Sequence, residues 1–328
     1  MKVIEHLDKA TEPLISYEII PPKRGGKIEG VFQTVESIMP FQPPFIDVTS
    51  HAAELELEKQ DDGVFRRKVK RKRPGTIGMC AAIKHRFQVD TVPHVLCNGF
   101  SRQETEDALI ELNYLGIDNV MALRGDETNY QKELREGRTR NNYAVDLVRQ
   151  ITDMNQGKYL EDLADAAPTN FCIGVAGYPE KHFEAPNLDW DIQKTKEKVE
   201  AGAEYIVTQM FYDNEQFLQF RELCRQEGIT VPIIPGLKVL TSKRHLTFLP
   251  KFFHIDLPEE LSQAVEEAAS DQVKDIGIEW TIKQSLELLE AGVTALHFYI
   301  MQSSTTITKV VQTITDKRDI YPVSNINA

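Results

Sequence analysis

Four times along this chain an amphipathic helix stops at a glycine and a short apolar strand begins within a few residues. Residues 108–115 end at Gly116 before 119–123. Residues 199–201 end at Gly202 before 205–209, 217–224 run to Gly228 before 232–236, and 286–290 end at Gly292 before 295–299. Glycine closes a helix C-terminus because it takes the left-handed backbone conformation without a Cβ penalty. Strands joined in this way by helices lie parallel, since each helix carries the chain back to the starting edge of the sheet. Helix starts are legible as well. Ser101 and Glu104 form a capping box before Ala108, Leu109, Leu112 and Leu115. Ala144, Leu147, Val148 and Ile151 keep amphipathic spacing, as do Ile282, Ser285, Leu286 and Leu289. Pro258 before Glu259 and Glu260 predicts an extra helix ahead of the last strand.

The short apolar runs at 14–20, 45–50, 93–97, 120–124, 171–176, 205–209, 232–236 and 295–299 lack clean alternation, as strands buried on both faces do. Eight parallel strands separated by helices predict an α/β fold, a single (β/α)8 (TIM) barrel over residues 1–328. Residues 77–83 are a ninth strand candidate. An open doubly wound sheet is the structural alternative. Against it, no G-x-G-x-x-G follows the first strand and no Walker loop occurs.

A net charge of -12 with 41% hydrophobic residues is a globular composition and argues against nucleic acid or an anionic membrane as the main partner. Charges interrupt the N-terminus from Lys2 onward and no apolar run could span a bilayer, so a cytoplasmic protein is expected. Cys80, Cys97, Cys172 and Cys224 are too scattered for a disulfide framework or a zinc site and read as buried free thiols. The one charge run, from Arg66 to Arg73, reads as a solvated edge, with a nuclear signal or a phosphate patch as alternatives.

Catalytic groups of such barrels sit at the C-terminal strand ends. Those ends carry Glu18; Asp47, Thr49, Ser50 and His51; His94; Arg124, Gly125 and Asp126; Tyr178, Glu180 and His182; Thr208 and Gln209; and His297. Glu18 sits among Tyr17, Ile19 and Ile20, and desolvation there would raise its pKa enough for acid chemistry near neutral pH. Arg124, Gly125 and Asp126 place a cation, a bare backbone and a carboxylate side by side, which suits a flat or phosphorylated ligand. Asp191, Lys194 and Lys198 share a helix face that could meet an extended polar cofactor, and the polar stretch 127–140 could form a lid. Asp47, His51 and His94 could be imagined as a metal site, although no metal is expected.

Several phrases occur together and in order: Ser16-Tyr17-Glu18-Ile19-Ile20-Pro21-Pro22, Ala122-Leu123-Arg124-Gly125-Asp126, Ala176-Gly177-Tyr178-Pro179-Glu180 with His182, Thr208-Gln209-Met210-Phe211-Tyr212-Asp213, Ile234-Pro235-Gly236 and Leu296-His297-Phe298-Tyr299. From about Ile15 to Tyr299 the chain resembles the methylenetetrahydrofolate reductases. The resemblance implies an FAD enzyme that reduces methylenetetrahydrofolate with NADH or NADPH by ping-pong turnover. It implies Glu18 as the general acid, Asp126 as the carboxylate beside flavin and pterin, and Gln209 as the amide touching folate and nicotinamide. It implies FAD contacts at Thr49, Ser50, Ala52, His94, Arg124, Gly125, Asp126, Tyr143, Ala144, Tyr178, His182, Ala185, Asp191, Lys194 and Lys198. Substrate contacts fall on Asp126, Gln209 and His245. This chain departs from the pattern at Ser50, where Tyr is frequent, and at Lys194, where Asn is. It also lacks the family's arginine for the folate glutamate tail, reading Ile300-Met301-Gln302-Ser303-Ser304 there. A homo-oligomer without a C-terminal regulatory domain is expected. Two other readings stay open: a metal-dependent hydrolase or lyase using Asp47, His51 and His94, and a barrel subunit that has lost turnover.

Overall fold

The computed structural model describes residues 1–61, 63–126, 130–301 and 304–317. In chain order the elements are α1 (Val3–Lys9), β1 (Leu14–Ile19), α2 (Glu29–Ile38), a 3-10 turn (Met39–Phe41), β2 (Phe45–Val48), β3 (Glu54–Lys59), β4 (Phe65–Lys70), α3 (Thr76–Phe87), β5 (Asp90–Leu96), α4 (Arg102–Tyr114), β6 (Asn119–Leu123) and α5 (Ala144–Asn155). They continue with β7 (Cys172–Gly177), α6 (Leu188–Glu200), β8 (Tyr205–Met210), α7 (Asn214–Gln226), β9 (Ile233–Leu237), α8 (His245–Phe253), α9 (Glu259–Glu267), α10 (Val273–Glu290), β10 (Ala295–Met301) and α11 (Thr305–Thr315). Eight strands close a parallel barrel in the order β1-β10-β9-β8-β7-β6-β5-β2. The glycines read as helix stops, Gly116, Gly202, Gly228 and Gly292, all have positive φ. The Ser101–Glu104 capping box is formed, and all four cysteines are buried and free. Among the described residues no helix is long and apolar enough to cross a membrane.

Two expectations are corrected. Residues 77–83 are not a strand: they lie in α3, where Met79, Cys80 and Ile83 are buried at helical spacing. The third barrel strand opens at Asp90 rather than at Pro93, so His94 sits well inside it. The charge run is solvent-exposed, as expected, and it is ordered. Most of it forms β4, paired antiparallel with β3 in a ribbon apart from the barrel, a pairing that the sequence reading missed. The extra helix before the last strand is present as α9, and α8 precedes it as a second.

The two barrel ends differ chemically. At the N-terminal end α1 forms a plug, with Val3 and Leu7 buried against Phe45, Val92, Met121, Cys172, Tyr205 and Ala295. Its amide at Val3 donates to Asn119 Oδ1 at 2.8 Å, and the N-terminal ammonium, His6 and Lys84 all meet Asp90 within 2.9 Å. Burial alone would raise the Asp90 pKa. The hydrogen bonds from His6, Lys84 and the N-terminus outweigh it and hold that carboxyl well below the usual range. Chemistry is therefore confined to the C-terminal end. Side chains alternate along each strand, so residues two steps above the apolar plug point into the barrel mouth. On β2 and β5 these are Asp47 and His94, and two residues further up on β1 and β10, at the same level by register, stand Glu18 and Tyr299.

Candidate active site

Register brings the acid and its neighbours to one level. Glu18 pairs with Asp47 on β2 and with Tyr299 on β10, and His94 projects from the adjoining strand β5. His94 Nε2 lies 3.4 Å from Asp47 Oδ2 and 3.6 Å from Glu18 Oε2. The Asp47 contact is close but falls short of a well-formed hydrogen bond, since neither Asp47 oxygen has a hydrogen-bond partner. Asp47 is 1% exposed and Glu18 13%, so the imidazole bridges two carboxyls withdrawn from water.

Burial is the main reason that the Glu18 pKa is raised to about 7. His94 and Lys238 pull it down, while Asp47 and Asp126 push it up. Burial would lower the His94 pKa, but Asp47 and Glu18 together raise it. Lys238, just past β9, is lowered by burial against the opposing pull of Glu18, and its Nζ donates to the Tyr299 carbonyl at 3.4 Å. The sequence reading missed Lys238. The signal was a lysine directly after the apolar strand that ends Ile234-Pro235-Gly236-Leu237, where a barrel mouth was already expected.

Around this cluster the expected positions separate into those brought together and those not. The Thr49 amide donates to Ile19 O, its carbonyl accepts from Thr76 Oγ1, and its own Oγ1 is buried without a partner. Ser50 Oγ and the His51 carbonyl accept from Arg71, and Ala52 packs against Gly99 so closely that a Cβ there would lie 2.9 Å away. Gly125 has φ +86, a conformation that favours glycine, and its loop is tied down by Asn98 Nδ2, which donates to the carbonyls of Gly125 and Asp126. Arg124 makes a two-pronged contact with Glu184 at 2.6 and 3.0 Å, a partner that the sequence reading also missed. Tyr178 meets His182 edge-on at 4.8 Å. The Asp191 carboxylate accepts from the His182 amide at 2.9 Å, and Lys198 Nζ donates to the Ala176 carbonyl at 2.6 Å. Burial lowers the Lys198 pKa to about 8, with Asp191 opposing. Ala185 is buried and caps the same loop by accepting from Lys181 Nζ.

Lys194 departs from the expected shared face. Its ammonium pairs with Glu197 at 2.6 Å and lies over the Trp190 ring, so it turns outward while Asp191 and Lys198 turn in. Tyr143 caps α5 and is 60% exposed, with Ala144 opening that helix beside it. Gln209 is the penultimate residue of β8, its Oε1 accepting from the Met210 amide. His245 lines a cavity of about 480 Å³ with Lys238, Thr241, Phe298 and Tyr299. The metal alternative is not assembled: among the described residues no three His, Cys, Asp or Glu side chains are placed to hold an ion. Of the lid stretch 127–140, residues 127–129 lie outside the described residues, as do 302 and 303 of the segment at the missing arginine.

A buried carboxyl, Glu18, thus stands at the mouth of a plugged barrel, with Arg124 just past β6 and Lys198 of α6 against β7 further round the barrel. The family model described as methylenetetrahydrofolate reductase matches residues 2–315. The chain belongs to the methylenetetrahydrofolate reductase family. Methylenetetrahydrofolate reductase 1 of Schizosaccharomyces pombe is 30% identical over 311 residues, covering 94% of this chain and 47% of that protein. Methylenetetrahydrofolate reductase (NADH) 1 of Arabidopsis thaliana is 30% identical over 319 residues, covering 92% and 48%. The 5,10-methylenetetrahydrofolate reductase of Buchnera aphidicola is 29% identical over 307 residues, covering 92% and 91%. This chain thus spans about half the length of the first two relatives and most of the third. Among solved structures, a Clostridium thermocellum protein described as binding two copies of 5-methyl-5,6,7,8-tetrahydrofolic acid superposes with a TM-score of 0.59 at 14% identity, covering 97% of this chain and 99% of that one. At that identity the likeness speaks for the barrel fold alone.

Proposed function

We propose that this chain is a catalytic barrel that reduces 5,10-methylenetetrahydrofolate to 5-methyltetrahydrofolate with electrons from NADH or NADPH, using FAD. The observation that carries this reading is Glu18, a carboxyl buried beside Asp47 and His94 at the barrel mouth, where burial raises its pKa to about 7. Bound FAD would accept hydride from the nicotinamide and pass it to the folate carbon. The residues present fit that group. Thr49 offers an orphaned buried hydroxyl, Gly125 a side-chain-free cradle, and Arg124 and Lys198 a basic rim for phosphates, with His182 beside them as an imidazole whose pKa burial lowers. His94 and Tyr178 would flank the ring system, with Ser50, Ala52, Tyr143, Ala144, Ala185 and Asp191 completing the contacts. Lys194 is the weakest member of that set because it faces outward.

Glu18 would hold its proton on the carboxyl and donate it to the folate nitrogen that leaves when the five-membered ring opens. Asp126 would face the resulting cation, and Gln209 would orient substrate by its amide. His94 and Asp47 set the acid's strength rather than meeting substrate. Purified protein should be yellow, be bleached anaerobically by NADH or NADPH, and regain colour with methylenetetrahydrofolate. A protein that takes up no FAD overturns this reading.

The acid sets a pH dependence. Glu18 must be protonated, so the folate-dependent step should fall as pH rises through about 7. Removing a cation that lowers the Glu18 pKa moves that limb upward. Lys238→Met should therefore keep folate reduction active to higher pH than the parent, read as the pH profile of flavin reoxidation. An unchanged or downward-shifted limb contradicts the coupling.

A further inference from the structure

The ribbon β3–β4 takes no part in the chemistry above and forms a two-stranded sheet of its own, apart from the barrel. The register places Glu54, Glu56 and Glu58 across from Lys70, Lys68 and Arg66 on one face, where Lys70 meets Glu56 at 2.7 Å and Lys68 meets Glu58 at 3.3 Å. Leu55, Leu57, Phe65 and Val69 lie on the other face with Lys59 and Arg67. Leu57 is 61% exposed, Phe65 59% and Val69 47%. A lone two-stranded ribbon is marginal in water, and an exposed apolar face rimmed by charge is a contact surface.

The charge is also unevenly placed. Residues 54–73 carry eight Lys or Arg against five Asp or Glu, a formal +3 within a chain of -12, which leaves -15 on the rest. The ribbon is held at its base by Arg71, which donates to the His51 carbonyl and Ser50 Oγ, and by Arg73, which donates to the Pro21 carbonyl. It is thus fixed to the C-terminal barrel end.

A complementary surface occupies the other end. Tyr114, 82% exposed, and Leu115, 44%, finish α4 just before β6 begins. Leu163, 50% exposed, lies in the loop that leads to β7, among exposed Glu161, Asp162 and Asp165. Residues 159–170 contain no Lys or Arg. The loop is joined to α4, since the Leu160 amide donates to Glu106 at 2.8 Å. This patch is apolar and acidic where the ribbon is apolar and basic.

We infer that the ribbon is a docking arm for a second copy of this chain, whose acidic patch around Tyr114 and Leu163 receives it. Arm and patch lie at opposite barrel ends but on neighbouring sectors of the wall, because β2, β5, β6 and β7 are consecutive in the barrel. Two copies side by side with opposed barrel axes engage both arms at once around a two-fold axis.

Light scattering or sedimentation of the full chain tests this. The parent should have twice the mass of one chain. The apolar arm variant Leu57→Asp with Phe65→Asp should run at half that mass. So should the arm charge variant Lys59→Glu with Arg67→Glu, and the patch variant Asp162→Lys with Asp165→Lys. An equimolar mixture of the two charge variants restores opposite charge at both contacts and should return to the dimer mass, which also shows that both are folded. A parent at the mass of one chain, an apolar arm variant that keeps the parent mass, or a mixture that stays monomeric overturns the inference.

Discussion

Glu18→Gln should slow folate reduction by roughly 10²- to 10⁴-fold, the usual contribution of a positioned general acid, while bleaching of the flavin by NADH or NADPH proceeds at close to the parent rate. The amide keeps the shape of the carboxyl between Asp47 and Tyr299 but carries no acidic proton. In the proposed mechanism only the half-reaction in which a folate nitrogen leaves needs that proton. The measurement is anaerobic stopped flow, with each half-reaction followed separately. Equal losses in both would mean that Glu18 supports flavin binding instead. No loss in either would remove it from the mechanism. The substitution also takes away one of the two carboxyls that raise the His94 pKa, so that imidazole should titrate lower in the variant.

Gly277→Ala should cost on the order of 3 kcal/mol, at the upper end for overpacking a rigid site, and roughly 5–10 °C in melting temperature. Gly277 lies in α10, where a Cβ would come within 1.7 Å of the Leu240 carbonyl oxygen. That obstacle is backbone in the buried segment after β9, so no side-chain rotamer can relieve it. Either α10 withdraws or the chain leading from Lys238 to His245 shifts. Thermal unfolding followed by circular dichroism checks it, and a melting point within 2 °C of the parent would show that the helix can slide at little cost.

The barrel was legible because its signals are local and repeated. A helix stop needs one glycine, and a doubly buried strand needs only an apolar run, so strand order followed from counting. Boundaries drifted where burial overrode pattern: α3 reads as strand because Ile77, Met79, Cys80 and Ile83 are apolar, yet their helical spacing is what the core uses. The ribbon was missed for the opposite reason. Its β3 alternates Glu and Leu and four of the six residues of β4 are cationic, so neither resembles a core strand, and the pairing that makes them strands lies between them. At the site, residues defined by one position on one strand were readable, as Glu18 was. Partners set by three-dimensional closure were not. Lys238 reaches Glu18 only because β9, β10 and β1 are consecutive in the barrel, and Glu184 reaches Arg124 only through the turn after β7. Lys194 shows the limit of helical spacing: it shares a stripe with Asp191 and Lys198, but a nearby glutamate and an indole hold it outside.

The seam of the barrel has a consequence for biosynthesis. The first strand finds its neighbour in the last: Ser16 Oγ and His297 Nδ1 lie 2.9 Å apart across a separation of 281 residues, and Glu18 stands opposite Tyr299. Contacts so distant in sequence form late, after most of the loop entropy has been lost. A nascent chain that has emerged only as far as β9 therefore leaves β1 with an open edge and Glu18 hydrated as an ordinary carboxylate. The acid acquires its unusual proton affinity only when the final strand docks, so chains released early by the ribosome should carry an inert glutamate at this position.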